Sequence, residues 1–197
     1  MTRLLLVRHA ATAWNLERRL QGRTDVPLCP EGRAEIARWR LPRWAEHARA
    51  WTSPMLRARE TAALLGRRDA EVEPRLVEMS WGLWEGRTLR ELREADARRA
   101  SALEALGFDL EPPGGESPRA VAERLAPFFL RLADLGGDHV AVTHKGVIRA
   151  AYARASGWDM RRKPPLPLSG PLALLLELDA RGCARSAAPW PLLDPQP

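Results

Sequence analysis

The chain has 197 residues, of which 45% are hydrophobic, 6% aromatic and 28% charged. This length is enough for one compact domain with a substantial core, and the apolar content excludes a disordered chain. The apolar stretches are too short to span a membrane, and the first residues lack the pattern of a secretory signal. Cys29 and Cys183 form neither a metal-binding motif nor a disulfide framework. The composition therefore predicts a cytoplasmic protein with no membrane partner.

The net charge of +6 comes from 31 Lys and Arg against 25 Asp and Glu, and only Lys145 and Lys163 are lysines. Clustered arginines would indicate a polyanion binder, because guanidinium groups pair with phosphates. Here the arginines are scattered among acidic residues in helical stretches, so we expect no nucleic-acid partner. The positive charge still favours a small anionic substrate by electrostatic steering.

The first third of the chain predicts two pairs, each of one strand and one helix. Residues 3–7 are an apolar run typical of a buried parallel strand, and residues 31–40 are typical of a helix that stops near Pro42. Residues 48–52 indicate a second strand. A helix over 54–65 should follow, with Ser53 as its N-cap.

The middle of the chain departs from this alternation. A short strand is expected at 71–77, where Pro74 favours an edge position. Thr88 and Glu91 match a capping box, which predicts a helix over 88–106. We expect the segment of about 82–117 to form a helical excursion, or lid, from the single domain 1–197.

The last part of the chain returns to regular alternation. A long helix is expected at 118–135, the best strand at 136–144 and a further helix at 147–156. The remaining predictions are a proline-rich loop at 161–171, strands at 171–179 and 183–189, and a frayed tail at 191–197. The whole pattern predicts an α/β fold, with a mostly parallel sheet between two layers of helices.

Chemically active side chains follow the predicted strands. Arg8 and His9 end the first strand, and His144 follows the strongest strand. Arg57 lies one helical turn past the second strand, and Glu78 follows the third. Because ligands bind outside the carboxyl ends of parallel strands, we expect these five side chains to converge at one site.

This set of residues suits phosphoryl transfer. Two arginines match the oxygens of a phosphoryl group, a neutral imidazole can attack phosphorus, and a carboxylic acid can protonate the leaving group. The arginines supply the countercharge, so we expect neither a metal nor a cofactor. The chain lacks the signatures of acyl transfer and of nucleotide binding.

Four motifs resemble those of the histidine phosphatase superfamily, in its phosphoglycerate mutase-like branch. They are LLLVRHAATAWN, TSPMLRARETA, LVEMSWGLWEGRT and VAVTHKGVIRA, and they follow the family's order over residues 3 to about 155. The form of the third motif is most similar to the phosphatase subgroup, which includes α-ribazole phosphatases and broad-specificity sugar-phosphate phosphatases. The resemblance implies a phosphoglycerate mutase-like three-layer αβα sandwich.

The resemblance also implies a role for each matching residue. His9 would be the nucleophile that forms a phosphohistidine, and Glu78 would be the general acid and then the base. Arg8, Arg57 and His144 would bind the phosphoryl oxygens, Asn15 would contact the phosphate, and Gln21 with Gly22 would line the entrance. For in-line attack, a backbone carbonyl should hold one ring N–H of His9 and leave the other nitrogen unprotonated. Glu71, Glu73 and Glu85 are rivals of Glu78 for the acid, with Glu85 the strongest.

Two positions depart from the family pattern. Ala10 replaces the glycine after the nucleophile, and an alanine fits there only if its φ angle is negative. Lys145 stands where relatives carry glycine, and its ammonium group reaches either the rim of the site or solvent.

The favoured function is a metal-independent phosphomonoester hydrolase that acts on a small phosphorylated metabolite. Two alternatives stay open, a mutase that returns the phosphoryl group to its substrate and a pseudo-phosphatase that only binds phosphate esters. The sequence does not predict the natural substrate. It is compatible with a homodimer but does not determine the oligomeric state.

Overall fold

The computed structural model describes residues 1–165 and 171–193. Its strands are β1 (Thr2–Arg8), β2 (Arg49–Thr52), β3 (Glu71–Val72), β4 (Asp138–Thr143), β5 (Leu172–Leu178) and β6 (Ala184–Pro191). They form one sheet in the order β3-β2-β4-β1-β5-β6. Strands β3, β2, β4 and β1 run parallel to one another. Strand β5 is antiparallel to β1, and β6 is antiparallel to β5.

Helices cover both faces of this sheet. They are α1 (Ala13–Leu16), α2 (Pro30–Ile36), α3 (Leu56–Leu64), α4 (Leu89–Ala95), α5 (Ala97–Glu104), α6 (Pro118–Leu135) and α7 (Lys145–Ser156). Side chains of α6 and α7 share one core cluster with the sheet, and side chains of α2 and α3 share the other. The predicted three-layer α/β architecture with a mostly parallel sheet is therefore confirmed.

Strand β1 shows why the sheet lies between two helical layers. Leu4 and Leu6 pack toward α6 and α7, whereas Leu5 and Val7 pack toward α2 and α3. All four side chains are fully buried. Burial of each contributes roughly 1.5–3 kcal/mol, so both faces of the strand anchor it in the core.

The predicted cap of the third helix is wrong. Helix α3 begins at Leu56, and its N-cap is Met55 rather than Ser53. The Ser53 hydroxyl accepts a hydrogen bond from the Met55 backbone N–H at 3.3 Å and lies 2.7 Å from Nε2 of His144. Ser53 is thus part of the tight connection between β2 and α3, and its hydroxyl also serves the histidine.

The predicted single helix over 88–106 is two helices. Thr88 and Glu91 do form the expected capping box. Asp96 interrupts the helix with φ −157° and ψ 88°, and its side chain accepts a hydrogen bond from the Arg99 backbone N–H to cap α5. Aspartate favours this local bond over a helix interior, which explains the break.

Three further boundaries differ from the predictions. Pro74 ends the 71–77 strand at Val72 and starts a 3₁₀ turn over Pro74–Leu76. The helix expected at 31–40 ends at Ile36. The tail is not frayed at 191–193, because Leu192 is fully buried and Leu193 bridges to Trp39. Residues 194–197 and the part of the proline-rich loop at 166–170 lie outside the described residues.

No helix within the two described ranges is long and apolar enough to cross a bilayer.

Candidate active site

The parallel sheet brings the two predicted histidines to one edge. The His9 backbone N–H donates to the Thr143 carbonyl at 2.9 Å, which extends the β1–β4 pairing beyond the last strand residues. His144 follows Thr143 directly and is the N-cap residue of α7. As a result, the centroids of the two imidazole rings are 5.1 Å apart.

The imidazole of His9 is held in the orientation that a nucleophile needs. Its side chain is buried, with 6% exposure. Nδ1 donates to the Ala10 carbonyl at 2.7 Å, so Nε2 carries the free lone pair of the neutral ring. Burial, followed by the charges of Arg57 and Arg8, holds the pKa of His9 well below its usual value. The ring is therefore neutral at pH 7.

Arg57 is fixed by the backbone of the loop after α1. Its guanidinium donates to the Gly22 carbonyl at 2.7 Å and to the Thr24 carbonyl at 2.9 Å. The side chain is fully buried, and its Nε has no hydrogen-bond partner among the described residues. Arg8 likewise has a buried Nε without a partner there. Two cations are thus held beside His9 with donors left for an anion.

The remaining predicted binding residues, Asn15, Gln21 and Gly22, also line the cavity next to His9. Asn15 accepts a hydrogen bond through Oδ1 from the Thr12 backbone N–H at 3.1 Å, so its NH₂ end is the donor toward a ligand. The Gln21 amide donates to the Thr12 hydroxyl. Gly22 has φ +54°, and a Cβ at this position would lie 2.0 Å from the Glu85 carboxylate. Glycine is therefore required at this turn.

His144 lies beside His9 on the buried side of the site. Its side chain is fully buried, and it is not among the cavity-lining residues. Nε2 lies 2.7 Å from the Ser53 hydroxyl, and Nδ1 is buried without a partner among the described residues. Burial, with the nearby Arg57 and His9, holds the pKa of His144 well below its usual value. The structure therefore places a second neutral imidazole against His9.

Glu78 meets the requirements of an acid. It lines the cavity with 8% exposure, and its carboxylate accepts from the backbone N–H groups of Met79 at 2.8 Å and Gly146 at 3.3 Å. Burial raises the pKa of Glu78, and this effect outweighs the lowering by those N–H groups and by Arg57 and Arg8. A raised pKa favours the protonated form that can donate to a leaving group.

The three rivals of Glu78 have other partners. Glu71 and Glu73 form ion pairs with Arg131, and Glu73 also pairs with Arg75. Glu85 accepts hydrogen bonds from the backbone N–H groups of Arg23, Thr24 and Trp81. None of the three lines the cavity.

The cavity has a volume of about 610 Å³. The excursion at 82–117 forms one wall through Trp84, Leu89, Arg93, Glu104 and Leu110, and α7 forms another through Lys145 and Arg149. Within residues 1–165 and 171–193, no three His, Cys, Asp or Glu side chains are grouped so that they could hold a metal ion.

Residues 4–188 match the model of the histidine phosphatase superfamily, branch 1. The chain belongs to this superfamily. It is 32% identical over 161 residues to phosphoglycerate mutase-like protein 4 of Arabidopsis thaliana, and the aligned region covers 77% of this chain and 70% of the relative. It is 31% identical over 170 residues to phosphoserine phosphatase 1 of Hydrogenobacter thermophilus, and the aligned region covers 82% of this chain and 80% of the relative.

A solved structure gives the same result for the fold. The YhfR protein of Bacillus stearothermophilus is 30% identical, with a TM-score of 0.77, over 94% of this chain and 95% of that chain. Together with the two named relatives, this likeness identifies the chain as a phosphoryl-transfer enzyme of the histidine phosphatase superfamily.

The two departures from the superfamily pattern now have a structural account. Only Arg18 and Met160 among the described non-glycine residues have positive φ, so Ala10 adopts a conformation that suits alanine. Ala10 is buried, and its N–H donates to the Thr61 hydroxyl at 3.1 Å. Lys145 lies on the cavity wall and not in solvent.

Sequence reasoning missed what Glu85 does for the site. Its carboxylate accepts from the backbone N–H groups of Arg23 and Thr24, each at 2.9 Å, and of Trp81 at 3.2 Å. It thereby ties the loop that holds Arg57 to the start of the excursion. Arg149 was also missed, although its i, i+4 spacing from Lys145 places both on one face of a helix.

Proposed function

We propose that this enzyme hydrolyses the phosphate monoester of a small metabolite through a phosphohistidine at His9, without a metal. One observation carries the proposal. A neutral imidazole with a free Nε2 shares a cavity with the buried cation Arg57, with the half-buried Arg8 and with a carboxyl group whose pKa is raised.

In the first step, Nε2 of His9 attacks phosphorus in line with the ester oxygen. The P–O bond to the alcohol breaks as the N–P bond forms, and Glu78 gives its proton to the departing oxygen. Arg8 and Arg57 neutralise the charge on the equatorial oxygens. Asn15, Gln21 and Gly22 orient the phosphoryl group at the cavity wall.

In the second step, the ionised Glu78 takes a proton from water. The resulting hydroxide attacks phosphorus, the N–P bond breaks, and inorganic phosphate leaves. His9 returns to its neutral form because Ala10 still holds the Nδ1 proton. His144 packs against the first imidazole from the buried side, with the ring centroids 5.1 Å apart, and so limits the movement of the nucleophile.

The similarity to a phosphoserine phosphatase supports hydrolysis, whereas the similarity to a mutase-like protein supports transfer back to the substrate. The two functions differ in whether phosphate is released. Incubation with phosphate monoesters and with 3-phosphoglycerate separates them, because a hydrolase releases phosphate and a mutase mainly interconverts isomers.

The decisive experiment traps the intermediate with a ³²P-labelled ester, using wild type, His9→Ala and His47→Ala. His47 is exposed and serves as the matched control. We expect an acid-labile phosphoenzyme and chelator-resistant phosphate release from wild type and His47→Ala, and neither from His9→Ala. Turnover by His9→Ala contradicts the proposal, and so does ester binding by wild type without any turnover.

A further inference from the structure

The cavity beside His9 has a second group of cations, on α7. Lys145 and Arg149 are one helical turn apart, and both line the cavity. Burial lowers the pKa of each side chain. Arg149 keeps its charge near pH 7, because arginine does not lose its proton in proteins, and an anion bound beside Lys145 would favour the charged form of that ammonium group.

Lys145 and Arg149 form no ion pair among the described residues, whereas Arg19 and Arg93 of the same cavity each have an acidic partner. Arg93 pairs with Glu104 at 2.8 Å and Arg19 pairs with Glu17 at 2.6 Å. Within the described residues, no ion pair or side-chain hydrogen bond involves Lys145 or Arg149, and the Nε of Arg149 is buried without a partner. Partly buried cations without a partner carry a desolvation cost that a bound anion would offset.

Arg149 is also fixed in place. Its guanidinium carbon lies 5.1 Å from the centre of the Trp158 ring, and the Trp158 indole N–H donates to the Arg162 carbonyl at 3.1 Å. This contact limits the side-chain freedom that Arg149 would lose on binding a ligand.

The contact between α7 and Glu78 indicates where the leaving group would lie relative to the two cations. Lys145 precedes Gly146, whose N–H donates to the Glu78 carboxylate at 3.3 Å. With Glu78 as the proposed donor to the ester oxygen, we expect the alcohol part of the substrate to extend from the phosphoryl site along α7. Its substituents therefore meet Lys145 and Arg149, while the phosphoryl group meets Arg8 and Arg57.

Building on the proposed phosphatase function, we propose that Lys145 and Arg149 form a second anion site. This site selects phosphate monoesters whose alcohol carries another anionic group, either a carboxylate or a second phosphate. Neutral alcohols gain nothing from it.

Three probes of equal chain length test this proposal. They are 3-hydroxypropyl phosphate, 3-(phosphonooxy)propanoate and propane-1,3-diyl bisphosphate, which offer a neutral group, a carboxylate and a phosphate at the far end. The measurement is kcat/KM for phosphate release by wild type and by the Lys145→Met/Arg149→Met variant. Arg154→Met, exposed on the same helix, and Lys163→Met, exposed in the following loop, are matched controls.

We expect wild type to prefer at least one anionic probe to the neutral one by about tenfold or more, a preference on the scale of a charge-assisted hydrogen bond. The double variant should lose that preference, and both controls should keep it. Whichever anionic probe shows the greater loss identifies the group that the site binds.

Two results would overturn the second anion site. One is equal kcat/KM of wild type for all three probes. The other is an equal loss for all three probes in the double variant, which would indicate only general attraction of phosphate. Either result leaves the proposed function intact if phosphate is released, whereas no release from any ester contradicts the function itself. Thermal unfolding of each variant confirms that it is folded.

Discussion

The Glu85 carboxylate binds Thr24 twice, accepting from its backbone N–H at 2.9 Å and from its hydroxyl at 2.6 Å. Thr24 in turn accepts from Arg57 through its carbonyl, at 2.9 Å. A residue outside the cavity thus determines where a buried cation of the site lies. The three elements involved are far apart in the sequence, and only the folded chain connects them.

Removing this carboxylate should loosen Arg57. We expect Glu85→Ala to raise KM for phosphate esters several-fold with a smaller change in kcat, and to destabilise the fold by roughly 0.5–1.5 kcal/mol, because the exposed donors can bond to water instead. Steady-state kinetics and chemical denaturation measure the two effects. Glu94→Ala is the control, because Glu94 makes only a surface i, i+4 pair with Arg90. Unchanged KM in Glu85→Ala would refute the link to Arg57.

Arg57 should matter far more than its neighbour Arg59. Arg57 is fully buried and lies on the cavity wall, whereas Arg59 is exposed on the same helix. We expect Arg57→Met to lower kcat/KM by about 100- to 1,000-fold, as for other preorganised donors to a transition state. Arg59→Met should be indistinguishable from wild type. Arg57→Lys keeps the charge but loses the fork that reaches two carbonyls, so its loss should be intermediate.

Glu78 should reveal its role through the leaving group. We expect Glu78→Gln to reduce turnover of alkyl phosphates by about 100-fold or more, because an alkoxide needs a proton to leave. Turnover of nitrophenyl phosphate should fall less in the first step, since nitrophenolate leaves unprotonated. Burst kinetics that separate the two steps provide the measurement. An equal first-step loss for both esters would exclude Glu78 as the proton donor.

The buried histidines should make stability depend on pH. Burial lowers the pKa of His9 and of His144 in the folded state, so below about pH 6.5 the unfolded chain binds protons that the folded chain does not. The free energy of unfolding should therefore fall as pH falls from about 6.5, by up to about 1.4 kcal/mol per pH unit for each histidine.

The matching variants isolate this contribution. Denaturation curves between pH 7 and pH 5 should show a shallower pH dependence for His9→Gln and for His144→Gln than for wild type. His47→Gln should show the wild-type slope, because His47 is exposed. Identical slopes in all four proteins would mean that neither buried imidazole stays neutral in the fold.

The sequence alone determined the layered fold and the chemical composition of the site. The apolar run of β1 and the regular alternation of strands and helices require a sheet buried on both faces, and residues that follow parallel strands must meet at one edge. His9, Arg8, Arg57 and Glu78 could be selected on that basis and from the four motifs. The capping box at Thr88 could also be predicted, because it depends only on residues that are close together in the sequence.

Only the tertiary structure decided how these residues are held and charged. The pKa values of His9 and Glu78 depend on burial by distant segments, and the orientation of Arg57 depends on carbonyls more than 30 positions away. The same is true of the deep position of His144 and of the cavity wall formed by Lys145 and Arg149. Desolvation and contacts between remote segments are properties of the packed molecule. A local pattern of residues therefore does not predict them.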